Sequence, residues 1–153
     1  MGVRRSMISG CAAVVLTLGA AAGLQAQAPR VVAITATDAM KYSVTAITAK
    51  PGEKLTVKLT GQGAIPKVAM AHNFVLLVAK TDAAAFATAA AMARATDFVP
   101  ADKKQVLAST KLAGGGETVE VTFDAPKAPG VYDFICTFPG HFVAGMKGTL
   151  TVK

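Results

Sequence analysis

The sequence is poor in the residues that carry most protein chemistry. Its 153 residues include two histidines, two cysteines and no tryptophan. This count excludes a site built on three or more histidines, and it excludes a framework of several disulfides. The first cysteine, Cys11, lies in an apolar N-terminal run. The second, Cys136, is therefore the thiol left for chemistry in the rest of the chain.

Acidic side chains are also scarce. The chain has nine of them and 16 basic ones, so its formal net charge is +7. The basic residues after the N-terminal run are scattered and form no stripe, and no nucleic-acid-binding motif accompanies them. We therefore expect no nucleic-acid partner. The composition indicates a surface with a slight preference for acidic partners.

The first 28 residues are typical of an export signal. Arg4 and Arg5 provide a basic start, an uncharged run follows from Cys11 to Leu24, and small residues at 25–28 suit a signal peptidase. The run is shorter than the roughly 20 apolar residues of a membrane span. We expect a signal peptide over 1–28 that is cleaved at about 26–28, and one periplasmic domain over 29–153. The arginine pair is compatible with general and twin-arginine export.

The rest of the chain has the pattern of an all-β domain. Short segments of alternating polar and apolar residues recur between glycine, proline and aspartate. Alanine-rich residues 83 to about 94 predict one inserted helix, which Thr81 or Asp82 can cap. Strands at this spacing predict an antiparallel sandwich or barrel. The predicted strands span residues 31–35, 42–48, 53–60, 72–79, 105–110, 117–123, 131–137 and 148–152.

One short segment concentrates the metal-binding residue types. Cys136 ends a predicted strand, His141 follows five residues later, and Met146 follows five after that. His72 opens another predicted strand, so it can approach from a neighbouring strand end. A thiolate, two imidazoles and a weak thioether are the ligand set of a blue-copper electron-transfer site. The sequence therefore predicts one copper ion at these four residues.

Three other interpretations of these residues are weaker. Structural zinc prefers four strong ligands, whereas this set offers three and a thioether. A cysteine–histidine nucleophile needs an orienting third group and a cleft, and no protease signature surrounds Cys136. A copper enzyme with a second metal would need more than the two histidines present. We therefore expect a protein that is not an enzyme.

The chain resembles the azurin and auracyanin branch of the cupredoxins, the small blue copper proteins. The similarity extends from Asp38 to Lys153, and the block from Cys136 to His141 is its most specific part. The segments that carry it are Asp38-Ala39-Met40, Ala46-Ile47-Thr48, Ile65-Pro66-Lys67, Met70 to Leu76, Thr110-Lys111-Leu112, Gly116-Glu117, Val121 to Asp124, Cys136 to His141 and Met146 to Leu150.

The resemblance implies a Greek-key β-sandwich and a single type 1 copper. It implies that His72, Cys136 and His141 are the strong ligands, that Met146 is a long axial ligand, and that the backbone carbonyl of Ala71 is a further weak one. Around them, the resemblance assigns Asn73 to tie the two ligand segments together. The backbone N–H groups of Asn73 and Phe138 would point at the cysteine sulfur and tune the potential.

The resemblance also implies how the protein meets its partners. An apolar patch would surround an exposed edge of His141 and let a redox partner dock briefly. Its members would be Met40, Ile65, Met70, Phe138, Pro139, Gly140 and Phe142. The expected partners are c-type cytochromes or periplasmic reductases and oxidases, and the protein is expected to act as a monomer.

Three departures distinguish the chain from the azurin pattern. Four residues separate His141 from Met146, where azurins usually have three, and this spacing is closer to auracyanin or plastocyanin. Ala71 replaces a usual glycine. The N-terminal disulfide and the buried tryptophan of azurins are missing.

The sequence thus predicts a carrier that shuttles single electrons by Cu(I)/Cu(II) cycling. The alternative is a copper chaperone or storage protein, which would be favoured by soft ligands on flexible surface loops.

Overall fold

The computed structural model describes residues 1–2 and 28–153, so most of the expected signal peptide lies outside the described residues. Within the described part, the fold consists of short strands, one α-helix and two single-turn 3₁₀ helices, Arg94–Thr96 and Lys103–Gln105. The main elements are β1 Arg30–Thr37, β2 Lys41–Tyr42, β3 Ala46–Ala49, β4 Lys54–Gln62, β5 Val75–Leu77, α1 Ala83–Ala90, β6 Val106–Ser109, β7 Thr118–Asp124, β8 Gly130–Ile135 and β9 Lys147–Val152.

The strands form two sheets. One has the order β2-β1-β4-β7, and the other has the order β3-β9-β8-β5-β6. This arrangement confirms the all-β sandwich. The pairs β1/β4 and β3/β9 are parallel, whereas the other strand pairs are antiparallel, so both sheets are mixed rather than purely antiparallel.

The core lies between the inner faces of the two sheets. Leu55, Val57 and Leu59 of β4 alternate inward and are fully buried, as the sequence pattern predicts. They belong to one apolar cluster with Phe74 and Phe134, whose ring centroids are 5.0 Å apart. Each such buried side chain contributes about 1.5–3 kcal/mol relative to exposure.

The second predicted strand, 42–48, is divided between the two sheets. Tyr42 belongs to β2 and pairs with β1, whereas Ile47 belongs to β3 and pairs with β9. The chain crosses from one sheet to the other between them. Buried or partly buried side chains alternate within each half, at Tyr42 and Val44 and again at Ile47 and Ala49, and the alternation shifts by one residue between the halves. Because no glycine or proline marks the shift, the sequence pattern predicts one strand where the structure has two.

The helix α1 packs outside the five-stranded sheet. Phe86 and Ala90 are its buried residues, and they contact a cluster that includes Leu77 of β5 and Ile135 of β8. Asp82 caps its first turn through the N–H groups of the next residues. The helix ends at Ala90 rather than near 94. Among the described residues, we find no helix with the length and apolar character that crossing a membrane requires.

Candidate metal centre

The three predicted strong ligands lie at one end of the five-stranded sheet. Cys136 directly follows β8, and its N–H donates to the carbonyl of Met146, 3.1 Å away. His72 precedes β5 and forms a two-way bridge with Ala113, with N···O distances of 2.9 and 2.8 Å. Because β5 and β8 are neighbours in the sheet, the two strand ends bring these residues together.

The ligand atoms of His72, Cys136 and His141 lie within 4.8 Å of one another. Cys136 Sγ and His141 Nδ1 are 3.4 Å apart. All three side chains are buried, with exposed fractions of 2%, 0% and 2%. Within the described part of the chain, Nδ1 of His72 is a buried nitrogen without a hydrogen-bond partner. A buried nitrogen without a partner, on a side chain grouped with a thiol and a second imidazole, fits a metal ion of the copper type.

Burial sets the protonation of the cysteine in the metal-free site. It raises the pKa of the Cys136 thiol to about 11, against the opposing effect of the Asn73 and Phe138 backbone N–H groups and the Tyr42 hydroxyl. The two N–H groups that the resemblance assigns to the sulfur therefore face it here. The thiolate form needs a cation beside it, and a metal ion supplies that charge.

Burial also keeps the two imidazoles neutral. It lowers the pKa of His141 to about 4, with the nearby His72 as the second cause. Burial lowers the pKa of His72 as well, while Asp38 acts in the opposite direction. Neutral imidazoles are the metal-binding form, so at neutral pH both side chains are ready to bind without losing a proton.

Asn73 joins the two ligand segments. Its side-chain oxygen accepts from the N–H of Thr137 at 2.9 Å, and its amide nitrogen donates to the Thr137 hydroxyl at 2.8 Å and to the carbonyl of Asp97 at 2.9 Å. Asn73 is fully buried. This bridge holds the residue after His72 against the residue after Cys136, as the resemblance implies.

The four-residue spacing before Met146 forms a compact turn. Ala144 N–H donates to Gly140 O at 3.0 Å, and Met146 N–H donates to His141 O at 3.0 Å. Gly145 has a φ of +90°, which favours glycine. Lys41 Nζ donates to the Ala144 carbonyl at 3.1 Å and fixes the turn from β2. Met146 is fully buried in the same apolar cluster as Cys136.

The remaining predicted residues surround this centre with different exposures. Ala71 is fully buried beside His72. The expected docking patch is partly open: Ile65, Pro139 and Gly140 are exposed, whereas Met40, Met70, Phe138 and Phe142 are partly buried.

The expectation of an exposed His141 edge is wrong. The side chain is 2% exposed, the same as His72. The Phe138 ring lies 4.8 Å from the His141 ring, and the His72 ring lies 4.9 Å away on another side. Neighbouring rings and the compact turn before Met146 enclose it.

Sequence reasoning missed Tyr42. The buried Tyr42 hydroxyl donates a hydrogen bond to the backbone carbonyl of Asn73, and it also lies close enough to Cys136 to lower the thiol pKa. The tyrosine stands two residues after Met40, within a segment that looks like an ordinary strand. No pattern in the sequence separates this tyrosine from one that only packs.

The chain matches a known family over its whole described domain. Residues 29–153 match the profile of copper binding proteins of the plastocyanin/azurin family. Azurin of Pseudomonas aeruginosa is 42% identical over 123 residues, which cover 78% of this chain and 82% of that protein. Auracyanin-B of Chloroflexus aurantiacus is 40% identical over 119 residues, which cover 76% of this chain and 49% of that protein.

Solved structures show the same similarity. Auracyanin A, a blue copper protein from Chloroflexus aurantiacus, superposes with a TM-score of 0.73 at 36% identity and covers 82% of this chain and 100% of its own. An azurin from Methylomonas sp. strain J superposes with a TM-score of 0.73 at 33% identity and covers 82% of this chain and 99% of its own.

Proposed function

Because the chain belongs to the plastocyanin/azurin family of copper-binding proteins, we propose that it is a periplasmic type 1 copper protein that carries single electrons between redox partners. The observation that carries this proposal is the buried convergence of His72, Cys136 and His141 within 4.8 Å. These residues would hold the copper, with Met146 and the Ala71 carbonyl as weaker ligands. Bound copper supplies one-electron chemistry by changing between its +1 and +2 states.

The protein's own contribution is a site whose ligand segments are held in place by the fold. His72 and Cys136 sit at the ends of paired strands, and Asn73 fixes their segments to each other. Residues held in this way can move little when the charge of the site changes. A small rearrangement keeps the barrier to electron transfer low, which suits a carrier.

A copper chaperone or storage protein is the alternative function. Such a protein exchanges its metal readily, which calls for ligands that a partner can reach. Here the three strong ligands are at most 2% exposed. The burial favours retention of the metal and so favours the carrier.

Two rates measured on the copper-loaded protein separate these functions. We expect fast electron self-exchange between the oxidised and reduced forms, measured by NMR line broadening, and slow loss of copper to a chelator. Fast copper loss with negligible self-exchange would contradict the carrier and favour the chaperone.

The role of Met146 is testable against a second methionine. Met146→Leu removes a weak donor, and fewer ligands favour the +1 state of copper, so we expect a higher reduction potential with copper retained. Met70→Leu, in the docking patch, is the matched control and should leave the potential unchanged. Equal potentials for both variants would remove Met146 from the ligand set.

We also propose that residues 1–28 direct export and are removed. The intact mass of the protein recovered from the periplasm of an expression host tests this. We expect a chain that begins between residues 27 and 29. A full-length chain in the cytoplasm would contradict it.

For docking, we propose the patch formed by Met40, Ile65, Met70, Pro139, Gly140 and Phe142, with transient redox partners of the c-type cytochrome or periplasmic reductase and oxidase kind. The exposure of Pro139 and Gly140, directly before His141, supports it.

A further inference from the structure

The ligand side chains are buried, yet a groove reaches the chain at Cys136 from the side of α1. The groove has a volume of about 430 Å³ and lies between α1 and the segment that follows Cys136. Cys136 is itself one of the lining residues. Two of its lining side chains, Met92 and Val143, are 87% and 89% exposed. Single exposed apolar side chains are normal, whereas several that share one continuous surface indicate a contact site.

A second cavity of about 520 Å³ continues this groove. The two share Ala91, Phe138 and Pro139. At the other end lies Val68, which is 72% exposed. We call the two cavities together the helix-side trough. Its walls are apolar from Val68 to Val143, and this continuity is typical of a contact surface rather than of scattered exposed residues.

The rim of the helix-side trough is basic. Lys67 and Arg94 line one cavity. Lys147 Nζ lies 5.3 Å from the centre of the Phe142 ring, and Lys41 donates to the carbonyl of Ala144, next to Val143. Within the described part of the chain, Lys67 is the one of these four cations with a carboxylate partner, Glu117 at 2.6 Å. Arg94 in the lining, and Lys147 and Lys41 beside the Phe142 and Ala144 end of the trough, leave positive charge along it.

We propose that the helix-side trough is the docking face for a redox protein whose contact surface is apolar at its centre and acidic at its rim. This inference rests on the proposed function and extends the docking patch past Pro139 and Phe142 towards α1. Opposite charge at the rim steers the encounter, and apolar contact at the centre orients it. The trough brings the partner against the segment from Cys136 to Phe138, which lines it.

A second copy of the chain is the competing occupant. Two copies docked face to face would bring together rims of the same positive sign, which disfavours their association. An acidic partner removes this repulsion. The charge of the rim therefore selects a different protein over a copy of this one.

The test uses the copper-loaded protein and two haem proteins of opposite charge. Stopped-flow measurement of electron transfer with acidic cytochrome b5 should give a rate constant that falls as salt is added, and basic cytochrome c should show the reverse dependence. Arg94→Glu should lower the rate with cytochrome b5 about tenfold at low salt. Lys127→Glu makes the same change of charge at an exposed position before β8, at the opposite end of that strand from Cys136, and should have a much smaller effect.

The apolar part has its own pair of variants. Val143→Thr keeps the shape of the side chain but replaces a methyl group with a hydroxyl, so it should lower the rate with cytochrome b5 several-fold. Val131→Thr makes the same change on β8, where Val131 is 59% exposed, and should leave the rate unchanged. Binding is read independently from amide shifts of the copper(I) protein with cytochrome b5, which should concentrate at residues 87–94 and 138–143.

The outcomes separate this inference from the proposed function. Electron transfer that responds equally to Arg94→Glu and Lys127→Glu, with amide shifts elsewhere, would overturn the trough while leaving the carrier intact. Shifts in the trough that grow with protein concentration without cytochrome would overturn the acidic partner in favour of a second copy. If the copper-loaded protein shows no reversible change between Cu(II) and Cu(I), the proposed function itself is contradicted.

Discussion

At the scale of single residues, Tyr42 gives the clearest prediction. Its hydroxyl donates its one proton to the carbonyl of Asn73 in the metal-free site, and the Cys136 sulfur, close enough for the hydroxyl to lower its pKa, competes for that proton once it is a thiolate. A donor beside the sulfur stabilises the more electron-rich, reduced site. Tyr42→Phe should therefore lower the reduction potential. One hydrogen bond is worth about 1 kcal/mol, which corresponds to about 40 mV for one electron.

The second tyrosine of the chain is the matched control for this change. The Tyr132 hydroxyl donates to the carbonyl of Ala128 at 2.8 Å, before β8 and far from its ligand end. Tyr132→Phe should reduce the free energy of unfolding by a similar amount and leave the potential unchanged. Voltammetry and urea unfolding of both variants separate the two effects. Equal potentials in the two variants would show that the Tyr42 hydroxyl only supports the fold.

The two histidines predict how the stability of the metal-free protein depends on pH. Burial lowers the pKa of His141 from 6.5 to about 4, and it lowers the pKa of His72. Between about pH 6.5 and pH 4 the unfolded chain therefore binds protons that the folded chain does not. The free energy of unfolding should fall as pH falls through this window, by at most about 1.4 kcal/mol per pH unit for each histidine.

Urea unfolding of the metal-free protein at a series of pH values measures this slope. His141→Gln should make it shallower, since one titrating group is removed. The lowered pKa values of Glu53 and Glu117 affect stability only below their ordinary value of 4.5. A slope that is unchanged in the variant would contradict the assignment to His141.

The sequence predicted the candidate ligands because their residue types are rare and chemically distinctive. Cys136, His141 and His72 stand out in any reading of this chain, and the structure brings them together. The burial of His141 and the contact of Tyr42 could not be predicted in the same way. Both depend on how loops pack at the end of the sandwich, and neither leaves a periodic pattern.

At the scale of elements, the bridge through Asn73 connects the segments that hold the ligands. Asn73→Ala would leave the Thr137 N–H and the Asp97 carbonyl without partners in a buried site. We expect the free energy of unfolding to fall by about 3 kcal/mol, together with weaker copper retention. Thr137→Val removes the hydroxyl but keeps the backbone contact, so it should cost less. Thermal unfolding and copper loss measure both, and equal losses would contradict the bridge.

The helix gives a second prediction at this scale. Asp82 accepts from the N–H groups of Ala84 and Ala85, both at 3.0 Å. Asp82→Ala should destabilise the protein by about 1 kcal/mol and speed amide exchange in α1, with the copper spectrum unchanged. Asp102→Ala, at the 3₁₀ helix Lys103–Gln105, should leave exchange in α1 unaffected. Unchanged exchange in α1 after the loss of Asp82 would contradict the capping role.

The sequence predicted the strands and the helix well where a local residue pattern determines them, and less well where the pairing of distant strands determines them. Alternating residues located β4 and β7, and the alanine run located α1. The predicted strand 42–48 was wrong as one element because the chain changes sheet within it. The parallel pairing of β1 with β4 also leaves no local trace, because side chains alternate along a strand whatever the direction of its neighbour.

At the scale of the whole molecule, metal binding and folding are coupled. The site exists only when the ends of β5 and β8 and the segment before Met146 are in place. Copper should therefore stabilise the folded state by about 2.7 kcal/mol at a hundred times its dissociation constant, and it should raise the melting temperature by several degrees. Calorimetry with and without copper checks this. The same rise in Cys136→Ser would contradict binding at the cysteine.

The central claim is a thiolate–copper bond at Cys136 in a site completed by two histidines. The most direct test is the absorption spectrum of the protein after addition of copper(II), repeated on Cys136→Ser. We predict an intense band in the red region from charge transfer between sulfur and copper, and its complete loss in the variant. A colourless protein that nevertheless binds metal, or a band that survives in Cys136→Ser, would contradict the account.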